Sequence, residues 1–132
     1  MSLPYKELQK SFVLGVIAID SDAIKIPLWK LNSRIKITGV RLGADTACTK
    51  ADTNYNTFQL TDVTNIIASI ANGPNSAAGT SFVAGSFHDM TLVAAYQEMP
   101  AGTTLQFEVV KTGNGLALTR SVLEISYYDY GA

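Results

Sequence analysis

Apolar and polar residues alternate with a period of two along most of the chain, and no stretch of about ten residues or more holds an apolar stripe at helical spacing. The alternating segments are short and bounded by Gly, Pro, Asn, Asp or Ser, the punctuation of strands and turns. Residues 12–19 (FVLGVIAI) are apolar on both parities, which predicts a strand covered on both faces, by the core on one side and by a further layer or subunit on the other. Ile24, Ile26 and Leu28 share one face with Lys25 and Pro27 on the other, and the proline predicts an edge strand because it donates no ladder hydrogen bond. In RIKITGVRLGA the apolar parity switches from Ile35 and Ile37 to Val40 and Leu42, which predicts a β-bulge at Gly39.

A polar loop at residues 45–54 precedes two strands carrying Phe58 and Leu60, then Ile66, Ala68 and Ile70, with the turn of a hairpin at residues 62–65. Small and glycine-rich residues 72–89 predict a second long excursion holding one short strand near Phe82. Met90 and Leu92 open another strand, and Pro100-Ala101-Gly102 turns the chain into Leu105, Phe107 and Val109. After Gly113-Asn114-Gly115 the last strand places Leu123, Ile125 and Tyr127 on one face. About eight or nine short strands at near-regular spacing predict an all-β fold, a two-layer antiparallel β-sandwich of jelly-roll type. Its expected core is Ile35, Ile37, Phe58, Leu105, Phe107, Leu123 and Ile125. The expected division is one sandwich domain over residues 12–132, with residues 1–11 an N-terminal arm or a remnant of recombinant expression.

Composition narrows the function classes. The chain has 132 residues, enough for one core without staples, and ten Lys and Arg against eleven Asp and Glu with no run of one sign. Nothing in that balance forms an electrostatic footprint for nucleic acid or an anionic membrane. No apolar run reaches the roughly 20 residues of a membrane span, and no secretory signal pattern opens the sequence, so a soluble, unprocessed chain is expected. Charged residues make up only 16%, which suits a surface partly covered by other protein, including copies of itself. Cys48 is the single cysteine, expected as a small buried hydrophobe, and it excludes an internal disulfide.

The candidate chemical motifs fail individually. Gly113-Asn114-Gly115 has Leu118 where a dinucleotide fingerprint needs its third glycine, and no helix follows to hold a phosphate. It is expected to supply the positive-φ positions of a hairpin turn, with no ligand. Asp52, Asn54 and Asn56 match the first positions of a calcium loop, but Thr57 replaces the glycine and Val63 the bidentate glutamate. Asp20 and Asp22 are expected as turn residues. His88 is the lone histidine, which excludes a two-histidine metal motif, and no nucleophile elbow accompanies it. No catalytic residue, metal or cofactor is therefore expected. What remains is surface chemistry: Trp29, Tyr128 and Tyr130 as possible contact residues, and Val13 and Ile17 as the oligomer contact, whichever of the two faces outward.

The cadence of FVLGVIAID, DTNYNTFQLTD, the small-residue excursion and MPAGTTLQFEVVKTGNGLALTRSVLEISYY resembles the small β-sandwich virion proteins of tailed bacteriophages, in particular capsid decoration or cement proteins. The resemblance spans residues 12–128 and is one of strands and turns rather than of functional residues. It implies a non-enzymatic protein, made in the bacterial host cytoplasm and located on the capsid surface of the virion. There it would bind the major capsid protein and stabilise the head shell as a homo-oligomer, a trimer being the first expectation. A carbohydrate- or receptor-binding β-sandwich of a fibre, using Trp29, Tyr128 or Tyr130, is the alternative.

Overall fold

Period-two alternation becomes strands where one parity can be buried, and ten strands occur among the described residues. The computed structural model describes residues 6–17, 24–73, 79–113 and 118–131. The strands are β1 (Glu7–Ile17), β2 (Ile24–Lys30), β3 (Ile35–Gly43), β4 (Tyr55–Thr61), β5 (Ile66–Ala71), β6 (Phe87–Asp89), β7 (Thr91–Leu92), β8 (Glu98–Met99), β9 (Thr104–Thr112) and β10 (Leu118–Asp129). A single 3-10 turn at Ala94–Tyr96 separates β7 from β8, and no α-helix occurs among the described residues. The strands make two antiparallel sheets packed against each other. The first runs β1-β10-β3-β6 with β8 also on β3, and the second runs β2-β9-β4-β5-β7.

The inward parity of each sheet fills the space between them. Ile35, Ile37, Phe58, Leu105, Phe107, Leu123 and Ile125, the expected core, are all buried, and Leu31, Val40, Leu42, Leu60, Ile67, Phe82 and Leu118 join them. Phe58 stands between Phe107 and Phe82, at ring distances of 6.1 and 5.7 Å, so aromatic stacking runs through the centre. The parity switch in β3 is a bulge: Gly39 opposes Ser126 and Ile37 opposes Tyr127, leaving Thr38 as the extra residue. Pro27 lies on β2, at an edge of the second sheet, as its missing N–H requires.

Four features differ from the sequence reading. Residues 7–11, assigned there to an arm, are part of β1 and pair in register with β10, from Glu7 opposite Tyr128 to Ser11 opposite Glu124. The start of the strand is obscured because Lys10, exposed, falls on the parity of Phe12 and Leu14, with its Nζ over the Trp29 ring at 4.4 Å. β4 and β5 form the expected hairpin, closed by Asp62 N–H on the Asn65 carbonyl at 3.1 Å. A bulge at Ile67, however, buries that residue and turns Ile66 outward. Phe82 forms only an isolated bridge with Cys48, and the short strand lies at Phe87–Asp89 instead. The fourth difference is topological: β9 and β10 do not pair with each other but lie in different sheets, so Gly113 begins a connection across the sandwich and not a hairpin turn. Its φ of +61° is the positive value expected; Asn114 and Gly115 lie outside the described residues.

Candidate interaction surface

The expected contact residues separate into two places. Trp29 sits where the free edges of β1 and β2 meet, half-buried against Phe12 at 6.2 Å and edge-on to Tyr127 at 5.0 Å. With Lys10 on its ring, the indole closes the open side of the sandwich. Burial, and after it the charge of Asp129, raises the Tyr127 phenol above its ordinary pKa. Tyr130 is held at the far end of the same region. Its backbone N–H donates to the Arg34 carbonyl at 2.9 Å, and the Arg34 guanidinium lies 5.3 Å from its ring while pairing with Glu98 at 3.1 Å. Beside it, Ser33 Oγ donates to Asp129 at 2.7 Å and the Gly131 N–H donates to the same carboxylate at 2.8 Å, and these bonds hold the Asp129 carboxyl below its usual range.

The second place is the outer face of the first sheet, whose register defines rows across the strands. Val13 opposes Val122, which opposes Gly43, which opposes Phe87: an apolar row across β1, β10, β3 and β6. Val13 is 84% exposed and Phe87 45% exposed. The adjacent row reads Ser11, Glu124, Arg41, Asp89, with Arg41 ion-paired to Glu124 and its guanidinium 5.9 Å from the Phe87 ring. A cleft of about 240 Å³ opens beside the apolar row, lined by Gly43, Phe87 and Val122, with the Arg120–Asp45 ion pair (3.3 Å) at its rim. Of the two expected oligomer contacts, Val13 is thus the outward one at its position, while nothing is described of the Ile17 side chain. Tyr128 shares this outer parity, opposite Glu7 on one side and Lys36 on the other.

Sequence reasoning missed Phe87, Val122, Arg41 and Glu124 as one surface. Val122 carried a signal, an apolar residue on the parity of Glu124, Ser126 and Tyr128, but its neighbours come from three other strands.

The remaining candidates have structural surroundings. Cys48 is buried, which pushes its thiol pKa up and disfavours the reactive thiolate. His88 stacks on Phe82 at 5.0 Å and accepts the Val83 N–H at Nε2, 3.0 Å. No group of three or more His, Cys, Asp or Glu residues with metal-binding geometry occurs among the described residues, Asp52 included. Asp20 and Asp22 lie outside the described residues. No helix of the described residues is long and apolar enough to cross a membrane.

Comparison with known proteins adds little. No family profile matches the chain, and no curated protein matches it. Among solved structures it is similar to a chain in the structure of infectious bursal disease virus Gx strain, at 12% identity and a TM-score of 0.33. That match covers 96% of this chain, and this chain spans 38% of the length of the other.

Proposed function

We propose that the protein is a non-enzymatic structural component of a virion, one that binds the exterior of a head shell through its major capsid protein and strengthens it by protein–protein contacts, as a homo-oligomer. The observation that carries the reading is the outer face of the first sheet, where an apolar row with Val13 84% exposed runs beside an ion-paired row. Exposed apolar side chains rimmed by polar groups, here Val13 and Phe87 at the two ends of the row with Val122 half-buried between them, favour contact with other protein, because leaving them wet forgoes roughly 25 cal/mol per Å² of burial. The resemblance of the strand and turn cadence to decoration proteins is what favours the capsid as the partner. A carbohydrate-binding role would require a free aromatic platform, and the Trp29 ring is already engaged by Lys10, Phe12 and Tyr127, which weighs against it.

Co-sedimentation with purified head shells tests the reading. Saturable binding that raises the temperature at which shells release their contents is the expected result. Failure to bind any shell, together with sugar-specific signals on a glycan array lost in Trp29→Ala or Tyr128→Ala, would replace it with the fibre alternative.

A further inference from the structure

We infer that the outer face of the first sheet is a two-fold interface with a second copy of this chain, in which Val13 of each copy seats against Phe87 of the other and Arg41 and Glu124 pair across the axis. The inference rests on reading that face as a contact surface and names its occupant. The face is four strands wide at its apolar row, in the order β1, β10, β3, β6. A two-fold axis running along the strands between β10 and β3 would lay each strand over its counterpart counted from the opposite edge: β1 over β6 and β10 over β3.

The residues brought together by that operation are complementary in shape and charge. In the apolar row, Val13 falls on Phe87 and Val122 falls on Gly43, so a side chain meets the one position in the row that has none. The cleft bounded by Gly43, Phe87 and Val122 is the hollow into which Val13 and Val122 of the second copy fit. In the charged row, Glu124 falls on Arg41 and Arg41 on Glu124, while Ser11, a hydroxyl donor, falls on the carboxylate of Asp89. The intramolecular Arg41–Glu124 pair thereby becomes an alternating quartet, the arrangement in which charges on a covered face remain satisfied. A single-signed row would have repelled its own copy. Two stacked sheets align within about 30°, which a tilt of the axis by half that angle provides.

Knob and hollow lie on the same face, so the contact closes on itself as an isologous dimer. It does not generate the three-fold ring expected from the decoration-protein resemblance, which would need them on different sides of the molecule.

Sedimentation velocity with light scattering at micromolar concentration reads the result. The expected mass is twice 14.1 kDa. Val13→Asp should lower it to that of one chain, and Val13→Ser should weaken association in the same direction should the charge disturb β1. Val110→Asp, at an exposed valine on the outer face of the second sheet, should leave the dimer intact. Arg41→Glu alone and Glu124→Arg alone should each dissociate the dimer, and the double exchange should restore it, with circular dichroism confirming a folded sandwich throughout. A wild-type monomer, a trimer, a dimer indifferent to both Val13 substitutions, or a folded double exchange that stays monomeric would each overturn the inference. Shell binding is read separately: a monomer that still coats shells defeats the two-fold contact and the homo-oligomer but leaves the virion role standing, and a dimer that coats none defeats the virion role alone.

Discussion

Gly113 combines a φ of +61° with a site in which a Cβ would collide with Asn54 Oδ1 and the Thr53 carbonyl oxygen. Gly85 has a comparable φ of +73° but open space around it. Substitution by alanine should therefore separate the two costs. Gly85→Ala carries backbone strain alone, about 1 kcal/mol, whereas Gly113→Ala adds overpacking and should lose about 1–3 kcal/mol more, measured by urea denaturation. Equal losses would show that the loop at Thr53 and Asn54 yields. At Asp129 the Ser33 hydroxyl and the Gly131 N–H lower the folded carboxyl's pKa relative to the unfolded chain. Its stabilising contribution is therefore complete above the unfolded value of about 3.9 and disappears as pH falls through the lower folded value. Ser33→Ala should flatten the acid limb of a melting-temperature profile taken downward from pH 5 and leave its slope near neutrality unchanged. Single residues were the most legible scale: all seven expected core positions are buried and Gly113 has the expected φ, because parity and positive φ are local properties.

Elements were legible where the apolar parity was regular and obscured where a polar residue held an inward position. The bulge in β3 announces itself as a change of parity at Gly39, and Pro27 announces the edge, but the start of β1 is obscured because Lys10, exposed and charged, interrupts the parity of Phe12 and Leu14 while its ammonium lies over Trp29. The two neighbouring edge strands are also unlike. β2 carries Pro27, Lys25 and Lys30, devices that discourage pairing, while β1 pairs with β10 along its length and leaves its other edge without a partner among the described residues. A chain beginning at Glu7 should accordingly melt within a few degrees of the full protein. A chain beginning at Leu14 removes the ladder to β10 between Glu7 and Val13 and the Phe12 contact with Trp29, and should be destabilised by several kcal/mol or fail to fold. Differential scanning calorimetry of the two truncations distinguishes a structural strand from a dispensable arm: equal melting temperatures would restore the arm.

At the scale of the molecule, the order in which strands fill the two sheets is what sequence alone did not reveal. Alternation says which face of a strand is inward; it does not say which sheet the strand joins. Among the described strands, consecutive ones lie in different sheets except for the β4–β5 hairpin, so that β9 and β10, expected to form a hairpin across Gly113, pair instead with β2 and β4 and with β1 and β3. Nearly every ladder therefore joins segments distant in sequence, from β1 against β10 at opposite ends of the chain to β2 against β9. Such ladders form only after the loop-closure entropy of the intervening chain has been overcome, which predicts slow folding for the size: a time constant of about milliseconds to seconds in stopped-flow refolding. The local β4–β5 hairpin can form before these closures. Substitutions that weaken its turn, such as Asp62→Ala, which removes the carboxylate accepting the Thr64 and Asn65 N–H groups, should slow refolding more than they speed unfolding. Weakening the β1–β10 ladder by Phe12→Ala should chiefly accelerate unfolding, because that pairing closes the longest loop and forms last. Microsecond refolding, or a Phe12→Ala effect confined to the folding limb of the chevron, would mean that the two ends of the chain meet early and that topology does not set the rate.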